Sequence, residues 1–160
     1  MTPAERRYVL DANLFVRGFR EPAANADLQR FHYAFAPFEY LSAVVVQELA
    51  AGTRSRTDRR ALDRHVVDLF RRRGRIVTPS SGAWEASGDV LAELARRDGL
   101  ELSRVSKSFG NDVVLAMSCR EAGLVLVTDN RRDFERIARI VHFDFVDPWP
   151  IPAPPRGGSA

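Results

Sequence analysis

Cys119 is the only cysteine in this 160-residue chain. One thiol excludes an internal disulfide framework. Lysine is equally scarce: Lys107 stands alone, so 23 of the 24 basic residues are arginine. The three histidines, His32, His65 and His142, lack metal-ligand spacing and read as packing or surface residues. No apolar run approaches the ~20 residues needed to cross a bilayer. No signal-peptide pattern opens the chain either. These absences point to a soluble protein of a reducing compartment, the cytoplasm.

What is present suits one globular domain. Hydrophobic residues make up 45% of the chain, enough for a single core, and the net charge is only +3. Apolar runs at 8–10, 38–41, 75–78, 124–128 and 142–146 read as strands. Between them, helical periodicity covers 25–36, 42–51, 57–73, about 80–98 and 133–140. Another helix should start at or near Asn111 and close at Gly123, after a polar loop over 100–110. Along 57–73, Leu62, Val66, Leu69 and Phe70 share one face. Strands alternating with helices imply an α/β fold, a three-layer α/β/α arrangement with a mainly parallel central sheet. The domain should span residues 1–147. The tail over 148–160 carries most of the nine prolines and should be extended or disordered.

Four acids stand against these buried elements: Asp11, Glu48, Asp112 and Asp129. Asp11 ends Tyr8-Val9-Leu10, and Asp129 follows Leu124-Val125-Leu126-Val127-Thr128. Glu48 follows Val44-Val45-Val46. Asp112 opens Val113-Val114-Leu115-Ala116-Met117 and should sit at a helix N-terminus. Each has a plain explanation as a cap, a turn residue, a dipole partner or a solvated position. Taken together, they suggest one cluster at the carboxyl edge of the sheet, where sites form in open parallel sheets. Clustered carboxylates repel one another. A hard divalent cation, Mg²⁺ or Mn²⁺, would resolve that repulsion.

The ordered set of motifs resembles the PIN-domain ribonucleases, and VapC-type toxins of bacterial toxin–antitoxin pairs in particular. The carrying segments are Val-Leu-Asp11-Ala-Asn13-Leu-Phe, Ser42-Ala-Val-Val-Val-Gln-Glu48-Leu, Asn111-Asp112-Val-Val-Leu-Ala and Leu-Val-Thr128-Asp129-Asn130-Arg-Arg-Asp133-Phe134. The resemblance implies that Asp11, Glu48 and Asp112 are the first three family acids, supported by Asn13 and Thr128. At the fourth position the chain departs: Asn130 stands where relatives often carry an acid. Asp129, nearest the strand end, is the preferred substitute, with Asp133 beside it. The implied reaction is metal-assisted hydrolysis of an RNA phosphodiester, leaving a 5′-phosphate and a 3′-hydroxyl. An antitoxin covering the acidic site and a homodimer through apolar helix faces are also implied.

RNA and carboxylates repel, so the substrate needs nearby positive charge. Arg17, Arg20, Lys107, Arg131 and Arg132 lie closest in sequence to the acids and are the candidate phosphate contacts. The denser arginine run from Arg54 to Arg75 reads better as a solvated helix face. Three rival readings remain beside a housekeeping PIN-type RNA-processing nuclease. A haloacid-dehalogenase-like phosphatase would need an acid where Asn13 stands. A receiver domain would need a lysine just after a late strand, whereas Lys107 follows a helix. A non-catalytic RNA-binding regulator would use the acids only as caps and turns.

Overall fold

The computed structural model describes residues 6–150. Its centre is one five-stranded sheet in the order β3-β2-β1-β4-β5. The strands are β1 Tyr8–Leu10, β2 Glu39–Ser42, β3 Ile76–Val77, β4 Val125–Val127 and β5 Phe145–Val146. All neighbouring pairs are parallel. From β1 the sheet grows outward through β2 to β3, then restarts on the other side of β1 with β4 and β5. With the right-handed crossovers usual between parallel strands, this reversal puts the early helices and the late helices on opposite faces. The α/β layered fold expected from the sequence is the one observed.

The topological switch point falls between β1 and β4. Leu10 pairs with Val127, and the Asp11 amide donates to the Val127 carbonyl at 2.9 Å. Asp11 and Thr128 therefore leave adjacent strands side by side. Both strands are buried along their full length, which is why they read as unbroken apolar runs rather than alternating ones.

The helices begin and end where local chemistry dictates. Helix α3 (Ala43–Ala51) is capped by the Ser42 hydroxyl, which accepts from the Val44 amide, and it ends at Gly52. Helix α6 (Ser81–Asp98) is capped by Ser80 and ends at Gly99, whose φ of 65° is left-handed. Helix α7 (Lys107–Ala122) runs inside the protein, with every residue from Asp112 to Cys119 buried. Cys119 packs there as a core residue. Burial, and secondarily Asp11, push its thiol up to about 12, which removes it as a nucleophile.

Several expectations need correction. Helix α1 (Ala12–Arg20) starts directly at Asp11, and α2 (Pro22–Phe35) starts three residues before the expected helix. Helix α7 begins at Lys107, capped by Ser106 accepting from the Phe109 amide at 3.0 Å. The polar stretch around Lys107 and Asn111 concealed its first turn. Asp112 therefore lies well inside that helix, not at its N-terminus. The amphipathic segment is α4 (Arg56–Leu62), a π turn (Asp63–Val67) and α5 (Asp68–Arg72). The π turn shifts the buried face onto Val67, and Leu69 is left 43% exposed. Helix α8 (Arg131–Ala138) begins two residues earlier than expected, and β5 is shorter. Of the Pro-rich tail, residues 151–160 lie outside the described residues. Trp149 packs near Phe31, with ring centroids 5.6 Å apart.

The half of the core behind β4 rests on Phe134, which is fully buried and packs edge-on against Phe143 and tilted against Phe145. Phe134→Ala should cost about 3–5 kcal/mol. Equilibrium urea denaturation measures that as a lowered midpoint with an unchanged slope.

Candidate active site

Helices α1, α3, α7 and α8 and the end of β4 bring the predicted acids to the switch point. Asp11 is 4% exposed and caps α1. Its carboxylate accepts from the Ala12 amide at 2.8 Å and from the Thr128 hydroxyl at 2.7 Å. Serving as a cap is therefore part of its role at the site. Glu48, in the second turn of α3, accepts from the Asn111 side-chain amide at 3.0 Å. Asp112 follows Asn111 on α7 and is 5% exposed.

The two candidate fourth acids, Asp129 and Asp133, have different partners. The Asn130 side-chain amide donates to Asp112 Oδ2 at 3.3 Å and to Asp133 Oδ2 at 3.1 Å. Its backbone amide donates to the Thr128 hydroxyl. Asp133 on α8 is thereby tied to Asp112. Asp129 instead forms an ion pair with Arg17 of α1. The sequence places Asn111 only near a helix start and beside Asp112; its contact with Glu48 comes from the fold. A short amide next to an acid in sequence carries no sign of which distant carboxylate it will meet.

A family model described as PIN domain matches residues 8–140. The chain belongs to the PIN domain family. Its fold is shared by a DNA-bound VapBC structure from Salmonella typhimurium, at TM-score 0.64 and 26% identity, covering 89% of this chain and 98% of that one. FitAcB from Neisseria gonorrhoeae aligns at TM-score 0.64 and 19% identity, covering 90% and 99%. A toxin-antitoxin complex from Klebsiella pneumoniae aligns at TM-score 0.57 and 20% identity, covering 90% and 99%. Among curated proteins, none matches the chain at a significant level.

Electrostatics show how closely the acids of this PIN domain crowd. Asp112 is pushed up to about 8, first by burial and then by the charges of Asp11, Glu48 and Asp133. Asp11 is pushed up to about 6, mainly by burial, with Glu48 and Asp129 adding to it. The Thr128 and Ala12 hydrogen bonds pull it back only in part. Among the described residues, no three His, Cys, Asp or Glu side chains converge in metal-holding geometry. Asn111, Asn130 and Arg17 each donate to carboxylates of the cluster. The donor set is nevertheless all oxygen and suits a hard divalent cation. Asn13, on α1, has a buried Oδ1 with no hydrogen-bond partner among the described residues.

The candidate phosphate contacts separate into two groups. Arg17 is paired with Asp129, and Arg131 with Glu135 and Asp147. Arg20, Lys107 and Arg132 are exposed and have no ion-pair partner among the described residues. Lys107 is the first residue of α7, not part of a loop.

The raised acids fix the pH response of the metal-free protein. Asp11 and Asp112 hold protons more tightly when folded than an ordinary aspartate, which titrates at 3.8. Between that value and about 8 the native state binds more protons than the unfolded one, so stability falls as pH rises. Urea midpoints without divalent cations should be lower at pH 8.5 than at pH 5. Asp112→Asn should flatten the difference. Equal midpoints in the wild type would contradict the crowding.

Proposed function

We propose that this PIN domain is a metal-dependent endoribonuclease and the toxin of a type II toxin–antitoxin pair. The observation carrying the reading is Asp112, buried at the sheet's switch point and bearing the charges of Asp11, Glu48 and Asp133. Such a cluster becomes stable in its ionised form only beside a cation. Asp11, Glu48 and Asp112 are the residues that would hold Mg²⁺ or Mn²⁺. Asp133 completes the set better than Asp129, because Asn130 ties it to Asp112 while Arg17 occupies Asp129. A cation held there would supply Lewis-acid polarisation of the phosphate and a more acidic water.

The chain's own groups do the rest. Thr128 and the Ala12 amide orient Asp11, and Asn111 orients Glu48. Once ionised, a carboxylate of the cluster can accept the proton of the attacking water. Arg20, Lys107 and Arg132 remain available to hold the RNA backbone, and backbone contact positions a strand without reading bases. Asp129 with Arg17 borders the site as a neutral pair.

The antitoxin reading rests on a groove of about 660 Å³ that runs up to Glu48. Val16, Phe19, Leu49 and Leu62 make it apolar, and Arg20 and Glu48 also line it. A helix with an apolar face fits such a groove and reaches the acids from its end. The similar VapBC, FitAcB and Klebsiella pneumoniae structures lend support, the last being a toxin-antitoxin complex. A homodimer would draw on exposed apolar residues such as Trp84 and Leu102. No helix among the described residues is long and apolar enough to cross a membrane.

The purified protein should cleave RNA with Mn²⁺ or Mg²⁺ and stop when chelator is added. Asp11→Asn and Asp112→Asn should each lower the rate at least about 100-fold, read on a labelled oligonucleotide. Cleavage that persists in both variants would overturn the reading. For the partner, coexpression with the product of the adjacent upstream reading frame should relieve growth arrest. Arrest that continues despite a stable complex would argue against an antitoxin.

A further inference from the structure

Asn111 does more than hold Glu48. Its side-chain nitrogen lies 3.0 Å from Glu48 Oε1 and 3.2 Å from Gln47 Oε1. A carboxylate oxygen only accepts, so the Asn111 group that faces α3 is its NH₂. The Gln47 atom facing that same NH₂ must then be an acceptor, the carbonyl oxygen. The hydrogen-bond network therefore settles which way the Gln47 amide points. Its oxygen is held by Asn111, and its NH₂ is the free end.

Gln47 is exposed, beside half-buried Glu48. Its NH₂ donates to no group among the described residues. The side chain is nevertheless anchored twice. Its base stands on α3, which is buried through Val44, Val45 and Leu49. Its tip is tied to α7, the buried helix that carries Asp112. Holding a long exposed side chain in one conformation costs entropy. A ligand that meets the tip benefits, because that cost is already met before binding.

The chemistry of the tip separates it from its neighbours. Arg20, Lys107 and Arg132 are the charged groups free to meet phosphate. Gln47 is neutral and offers fixed N–H donors, the type of group that reads the edge of a base. Single-stranded RNA exposes such edges, because its bases can splay out.

We propose that Gln47 is a specificity-determining residue. Its NH₂ donates to an acceptor, a carbonyl oxygen or ring nitrogen, on a nucleobase next to the bond cut at the acidic cluster. The proposal rests on the ribonuclease reading and adds a sequence preference to it. Gln47 itself neither holds the metal nor moves a proton. Asn111 positions Gln47 and Glu48 through one amide, which ties the base-reading group to the acids.

Cleavage of a randomised single-stranded RNA oligonucleotide with Mn²⁺, read by sequencing, gives a relative kcat/KM for every sequence around the cut. The wild type should prefer certain bases at one position beside the cut by at least about fivefold, the value of one hydrogen bond. Gln47→Met removes the donor and should erase that preference while leaving preferences elsewhere unchanged. Gln47→Glu keeps an oxygen for Asn111 but replaces the outward donor with an acceptor. It should move the preference toward bases that present an amino group. A Gln47→Met protein that loses rate equally on all sequences would overturn the proposal, since a purely structural or backbone role predicts that result. A wild type that cuts RNA without preference beside the cut would overturn it too. A wild type that cuts no RNA with either metal would overturn the ribonuclease reading and this proposal together.

Discussion

Mutual repulsion of carboxylates at the carboxyl edge of the sheet is the constraint that the rest of this structure has to accommodate. Asp11 and Asp112 are nearly inaccessible to water, so neither can be screened by solvent as a surface acid would be. Asp112 shares its surroundings with Asp11, Glu48 and Asp133. The protein answers with neutral and charged donors placed one by one: a hydroxyl from Thr128, amides from Asn111 and Asn130, and a guanidinium from Arg17. These contacts lower the cost of the cluster without removing it. Residual frustration of this kind is what a site gives up in stability to keep its function.

The framework holding those donors is rigid for an ordinary reason. Helix α7 is buried from Asp112 to Cys119, and β1 and β4 are buried on both faces. A side chain anchored on such elements has little freedom to move away from its neighbours. The Asp11 amide bonded to the Val127 carbonyl fixes the two strand ends together. Asn130 then carries that fixed point across to α8. The resemblance to PIN-domain ribonucleases implies an acid at this position. Here an amide takes it and draws in a carboxylate from one turn further along.

Much of the fold was legible in the sequence. The strands around Val9, Tyr40 and Leu126 announced themselves as short apolar runs. Ser42, Ser80, Gly52, Gly99 and Gly123 marked helix ends through chemistry confined to a few neighbouring residues. Reading failed where local composition pointed the wrong way. The polar turn from Lys107 to Gly110 reads as a loop because its apolar partners are distant in sequence. The π turn at Asp63–Val67 changed the helical period, and a fixed 3.6-residue pattern could not anticipate that Val67, not Leu69, would face inward.

The sequence by itself determined the alternation of strands and helices, the residue types of the acidic cluster and its attachment to strand ends and buried helices. It could do so because periodicity, caps and turn residues act over a few positions. Only the tertiary structure decided which donors meet which acids: Asn111 with Glu48, Asn130 with both Asp112 and Asp133, and Arg17 with Asp129. Those pairings join residues up to 112 positions apart. They depend on the strand order that places β4 beside β1, and no local pattern encodes that order.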